Sequence, residues 1–303
     1  MGQTGPDQSQ ATEASSRRAS VTASIVSTAR GIGLSEAYRD AFALNLATGW
    51  SARLLRSFER DSRRVRLART AIRAFSLGLV DHNTVRMLVI DEYLRQWAVQ
   101  GVTQVVILGA GLDSRCWRLR ELEQLAFFEV DHASSQRVKR DRVSMLPSEA
   151  VPPPNPQVEY VAVDFEADSL TERLPGQGFD PRQATAWVCE GVTPYLTPQS
   201  IARLFRGIGD LSAPGSRLAL SYVTPPDNAA TTTTKTVVGR LLAKLGERTP
   251  GFVSSETLAA LCQASGLTLL EDLEWREWQA LAGARSRLPN LLKERLLIAE
   301  CAG

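Results

Sequence analysis

The chain has 303 residues, 44% of them hydrophobic, with 35 basic and 33 acidic side chains and a formal net charge of +2. That composition supplies a sizeable core and carries no charge bias that would select nucleic acid or a membrane as partner. Cys116, Cys189, Cys262 and Cys301 are scattered without C-x-x-C spacing, which excludes a disulfide framework and a zinc site and leaves no metal expected.

Residues 1–18, rich in Gln, Ser and Thr, are expected as a disordered tail rather than a signal peptide. No stretch approaches the roughly 18–20 apolar residues needed to span a bilayer, so a cytoplasmic protein with reduced thiols is expected. From 19 to 100 the apolar spacing is helical, as in Leu54-Leu55-Phe58, Ile72-Phe75-Leu79 and Val85-Leu88-Val89, and predicts a helical cap. Arg53, Arg56, Arg60, Arg63, Arg64, Arg66, Arg69 and Arg73 crowd one part of it. No aromatic pattern interleaves them, and Glu59 and Asp61 dilute them, so they read as a solvated helical face.

Residue 101 opens a second region, expected to run to 303. Val105–Leu108 is an unbroken apolar run, as a parallel strand buried on both faces requires. Gly109-Ala110-Gly111 follows, placing bare backbone where a ligand can approach without meeting a Cβ. Roughly 20 residues later, after a crossover helix, a second apolar run ends in Asp131, where a carboxylate can accept both hydroxyls of a ribose. A nucleoside-bearing ligand fits this pattern. A dinucleotide site wants a third glycine, and here Ser114 stands at that place. Asp113 beside it repels a diphosphate and tolerates a sulfonium or an ammonium.

Helix is expected over 133–146, loop over Val151–Pro156 and strand over Gln157–Val163, the strand leading into Asp164 and Phe165. Thr185–Cys189 is the fourth strand and ends in Glu190. Thr197 caps a helix that starts at Pro198 and runs to about Leu211. Arg217–Val223 is the fifth strand. Residues 225–250, with four consecutive threonines, show no core-forming pattern and are expected as a lid that sets acceptor choice. Helix at Ser254–Ala264, strand at Leu267–Trp275 and a closing strand at Lys293–Cys301 complete the chain. Strands alternating with helices make an α/β, doubly wound, mostly parallel sheet with helices on both faces.

The string Val105-Val-Ile-Leu-Gly109-Ala-Gly-Leu-Asp-Ser-Arg115-Cys-Trp-Arg-Leu119 resembles the signature of the leucine carboxyl methyltransferase family. More closely it resembles that family's bacterial branch of S-adenosylmethionine-dependent O-methyltransferases, some of which act in polyketide pathways. Arg86 with Asp91, Val161-Ala-Val-Asp164-Phe165 and Ala186-Trp-Val-Cys-Glu190-Gly-Val-Thr-Pro-Tyr195-Leu match in order and spacing. Ser20-Val21-Thr22-Ala23 departs from the Ser-Arg-Thr-Ala with which that branch usually begins.

The resemblance implies a class I, Rossmann-like sheet of seven strands and S-adenosyl-L-methionine as cofactor. It implies Asp164 and Phe165 as an adenine pocket and Arg86 as the partner of the methionine carboxylate. Glu190 then lies near the ammonium or the acceptor, and Tyr195 beside the acceptor oxygen, the two being the candidate catalytic residues. From the residues alone, Asp131 and Asp164 also read as turn or helix caps, and Arg86 as a surface partner of Asp91. Arg115 and Asp113 are expected to brace the loop, and His132 to be exposed. The expected activity is O-methylation of a small molecule, most simply a carboxylate, which needs no general base because it is already an anion. A phenolic acceptor, a nicotinamide-dependent oxidoreductase and a non-catalytic nucleoside-binding protein stay open as alternatives.

Overall fold

The computed structural model describes residues 22–302 apart from 48, 60–61, 77, 147–157, 228–230, 234, 237–239, 241–250 and 287–292. The expected tail at 1–18, the loop at 151–156 and most of the 225–250 segment lie outside the described residues.

Seven strands form one sheet: β1 (Gln104–Leu108), β2 (Ala126–Asp131), β3 (Val158–Ala162), β4 (Thr185–Cys189), β5 (Arg217–Val223), β6 (Leu267–Leu273) and β7 (Glu294–Cys301). Their spatial order is β3-β2-β1-β4-β5-β7-β6. The first five strands pair in parallel, and β7 inserts antiparallel between β5 and β6. The chain winds from β1 toward β3 and then returns to β4, so the switch point lies between β1 and β4.

Successive side chains of β1 leave the sheet on opposite faces, and both faces are covered. Val105 and Ile107 pack with Val89, Ile90, Tyr93, Leu94 and Trp97 of the long helix Leu79–Val99. Val106 and Leu108 pack with Ile201, Leu204, Phe205 and Ile208 of the helix Pro198–Asp210, and with Leu258 and Cys262. All five residues of β1 and of β4 are buried, which is why their sequence is apolar without alternation.

The long helix, expected within the cap, is therefore a layer of the sheet sandwich. The remaining N-terminal segment has a separate small core of Ala29, Ile32, Ala43, Leu55 and Phe58, completed by Val80 from the first turn of the long helix. Two other expectations change. The β1-to-β2 connection is no long helix; it holds only the single turn Arg115–Arg118 and a 3-10 turn at Arg120–Leu122. Trp275, expected in a strand, opens the helix Trp275–Leu281 through a capping box between Glu274 and Glu277.

Candidate active site at the carboxyl ends of β1, β2 and β4

Gly109 and Gly111 both adopt left-handed backbone, with φ of 66° and 47°, which favours glycine at each position. The space above them belongs to the chain itself. A Cβ on Gly109 would lie 2.3 Å from a methyl of Val192, and one on Gly111 would lie 3.3 Å from Ala23 Cβ. The N–H groups of Gly109 and Ala110 donate to Val130 O at 2.7 and 3.2 Å. The glycines thus admit close packing by Val192 and by the helix over residues 22–32, where an open approach for a ligand was expected.

Asp131 closes this turn. Its Oδ2 accepts from Gly111 N at 2.6 Å and its Oδ1 from His132 N at 2.6 Å. Burial pushes its carboxyl up from the ordinary value, opposed by those two N–H donors. It remains partly exposed at the rim, with acceptor capacity beyond one bond per oxygen. His132 is exposed and caps the helix Ala133–Ser144. On the neighbouring strand Asp164 is exposed, and its Oδ1 accepts from Glu166 N at 2.9 Å, which is an Asx turn. Phe165 packs half-buried against the core around Leu170 and Leu204.

At the switch point stands a buried ionic network. Glu190, at the end of β4, accepts from Arg30 Nη2 and, at 2.7 Å, from Arg86 Nε through Oε1, and from Arg115 Nη2 at 2.9 Å through Oε2. Burial opposes its charge, but Arg30, Arg115 and Arg86 together hold its carboxyl well below the usual carboxylate range. A general base needs the opposite, a pKa raised toward neutrality, so Glu190 does not suit that role.

Arg86 also donates through Nη1 to both oxygens of Glu294 at 2.7 and 2.8 Å, and through Nη2 to Asn83 at 3.0 Å. Each of its nitrogens has a partner within the chain. Its alternative partner, Asp91, is held instead by Arg115 Nε at 2.8 Å and by Arg118. Arg115 is fully buried and braces the loop as expected, donating its backbone N–H to Asp113 at 2.8 Å and Nη1 to the same carboxylate. Tyr195, half-buried, ends a 3-10 turn over Thr193–Tyr195. That turn is tied to β5 by Gly191 N to Ser221 Oγ at 2.9 Å and Thr193 Oγ1 to Ser221 O at 3.0 Å.

Three members of the site had no reading in the sequence: Arg30, Glu294 and Ser27. Arg30 is the lone charge in residues 22–32, which was a usable signal, and Glu294 heads the apolar run of β7. Ser27 and Arg30 lie on the face of their helix that carries Ala23, the residue packed on Gly111. Ser27 Oγ and Arg30 Nε are buried there, and neither has a hydrogen-bond partner. A buried donor without an acceptor costs free energy, so both fit a ligand that brings anionic oxygen to this place. No cluster of metal-ligating side chains occurs among the described residues.

Residues 21–209 match the model of a family described as leucine carboxyl methyltransferase. A protein of Mycobacterium avium (strain 104), provisionally named an S-adenosyl-L-methionine-dependent methyltransferase, is 39% identical over 152 residues, or 50% of this chain and 48% of that one. A protein of Mycobacterium tuberculosis (strain ATCC 25618 / H37Rv) with the same provisional name is 38% identical over 151 residues, covering 50% and 47%. The matched stretch thus spans about half the length of these relatives. Magnesium protoporphyrin IX methyltransferase from Synechocystis PCC 6803, solved with SAH, is 13% identical, covers 82% of this chain and 92% of its own, and superposes with a TM-score of 0.46.

Proposed function

The chain belongs to the leucine carboxyl methyltransferase family, and from that premise we propose that it transfers a methyl group from S-adenosylmethionine to an oxygen of a small-molecule acceptor. We place it with the family's bacterial O-methyltransferases of secondary metabolism, polyketide-type acceptors included, and take a carboxylate as the acceptor. The observation that carries the cofactor reading is the Gly111–Asp131 closure at the switch point of the sheet, where a partly exposed carboxylate meets two positive-φ glycines. The names of the relatives agree with it.

In this reading Asp131 accepts the ribose hydroxyls, and Asp164 with Phe165 borders the adenine. Ser27 Oγ and Arg30 Nε donate to the methionine carboxylate. Arg86 and Glu190 are positioning residues: their mutual pairing fixes Arg30, and through it the helix 22–32, above the nucleoside. S-adenosylmethionine, when bound, supplies an electrophilic methyl group on a sulfonium. With Glu190 locked as an anion, an acceptor that arrives already ionised needs no proton removed, which supports a carboxylate. Tyr195 walls the acceptor side. The helices over 22–75 act as the cap that excludes water. Placing the acceptor in line can supply several kcal/mol, within the roughly 7–11 available from orientation.

Two measurements test this. Titration calorimetry should show binding of S-adenosylhomocysteine and none of NAD; the reverse pattern rejects the cofactor. Label transferred from methyl-tritiated cofactor should be released as volatile methanol in mild alkali, as an ester requires. Label retained in alkali moves the acceptor to a phenol or alcohol.

A further inference from the structure

The arginine-rich helices of the N-terminal segment carry apolar side chains on the wrong side. The helix Arg63–Phe75 turns Val65, Arg69 and Ile72 toward the protein, and Arg69 Nε donates to Ile32 O at 3.0 Å. The opposite face should be polar in a helix that meets only water. Instead, at spacings of three and four residues, it presents Leu67, Ala68, Ala71, Ala74 and Phe75, with Leu67 71% and Phe75 87% exposed. Arg63, Arg64 and Arg66, all exposed, edge that stripe. The neighbouring helix Gly49–Arg56 repeats the pattern, with Trp50 63% exposed and Arg53 and Arg56 following at intervals of three.

We propose that this face docks on an anionic lipid surface. Leu67 and Phe75 enter the headgroup boundary while the arginines beside them meet the lipid phosphates. Arg63, Arg64 and Arg66 are exposed on this helix, which carries no carboxylate. That imbalance argues against a second copy seated face to face, which would set arginine against arginine. Among the described residues no helix is long and apolar enough to cross a membrane, so the contact is peripheral. The inference is independent of the proposed reaction. Its link to the site is mechanical: Arg69 fastens this helix to residues 22–32, which cover Gly111.

The test is co-sedimentation of the full chain with vesicles of phosphatidylcholine mixed with phosphatidylglycerol, against phosphatidylcholine alone. Binding to the anionic vesicles only, lost at high salt, is the expected result. R63Q/R64Q/R66Q should weaken it about a hundredfold and L67S/F75S about tenfold or more. All these positions are exposed, so circular dichroism should show both variants folded. Failure of the wild type to bind anionic vesicles, or equal binding by either variant, overturns the proposal. So does a dimer in light scattering that L67S/F75S dissolves, which would give the face to a second copy.

Discussion

Single side chains decide whether the carboxyl ends of β1, β2 and β4 bind a nucleoside. Asp131→Ala removes the acceptor at the rim and should weaken S-adenosylhomocysteine binding by about 1–3 kcal/mol with the thermal midpoint little changed. Ser27→Ala separates ligand from scaffold. As scaffold, a buried hydroxyl with no partner is dispensable, and its loss should leave stability unchanged or better. As a ligand donor, its loss should weaken binding roughly threefold to tenfold; unchanged affinity rejects the assignment. Glu190→Gln should act first on the fold, because it leaves Arg30, Arg86 and Arg115 short of their shared anion. Breaking a buried pair in this way costs about 3–5 kcal/mol, readable as a lowered denaturation midpoint.

The same network sets an acid limit. Burial opposes the charge of Glu294, yet Arg86 and His82 bring its carboxyl down to about 2, and Glu190 is lowered by its three arginines. Groups depressed on folding stabilise fully above their ordinary pKa, near 4.3 for glutamate, and lose that stabilisation as pH falls toward the folded value. Stability should therefore fall steeply from about pH 4.5 toward pH 2, and Glu294→Gln should flatten that slope. Little of this network was legible in the sequence. Glu190 and Arg86 are 104 residues apart and Arg86 and Glu294 are 208 apart, and no local pattern reports pairings across that distance.

Among the elements, β2 carries a second charge buried in the core. Glu129 accepts from Lys139 Nζ at 2.6 Å and from Cys116 Sγ at 3.2 Å, and the Lys139 ammonium lies 4.9 Å from the centre of the Trp117 ring. Lys139→Met leaves that carboxylate unpaired and should cost about 3–5 kcal/mol, whereas adding Glu129→Leu should recover most of the loss. A urea series on the two variants measures the coupling. Strands were the legible elements: β4 and β5 begin and end at the expected residues because burial on both faces demands continuous apolar sequence. The strand expected to reach Trp275 overran because β6 lies at the sheet's edge, largely exposed, with an irregular register near Leu269. Its sequence has no apolar stop, and the capping pair Glu274 and Glu277 was the mark of the helix that follows.

At the scale of the molecule, the mostly parallel α/β sheet was legible, its seven strands being what the family resemblance implied, and the strand order came from the structure. The division at residue 100 was drawn by spacing alone, and it separated the long helix from the sheet face that the helix buries. Packing, which needs the partner surface, assigns that helix to the sheet.

The antiparallel seat of β7 has a consequence in time. A ribosome releases the chain from its amino end, so helix 22–32, β1, β2 and β4 emerge long before Glu294. Until the final strand arrives, β5 lacks its ladder partner and Arg86 lacks one of its two carboxylates. Stalled nascent chains ending at residue 285 should then be protease-sensitive, and chains in which β7 has cleared the ribosome should be resistant. Resistance in the stalled chains would mean that the site forms without β7. In the expected order, a copy whose β7 has not paired holds no cofactor, and competence appears in one step when that strand takes its place beside β5.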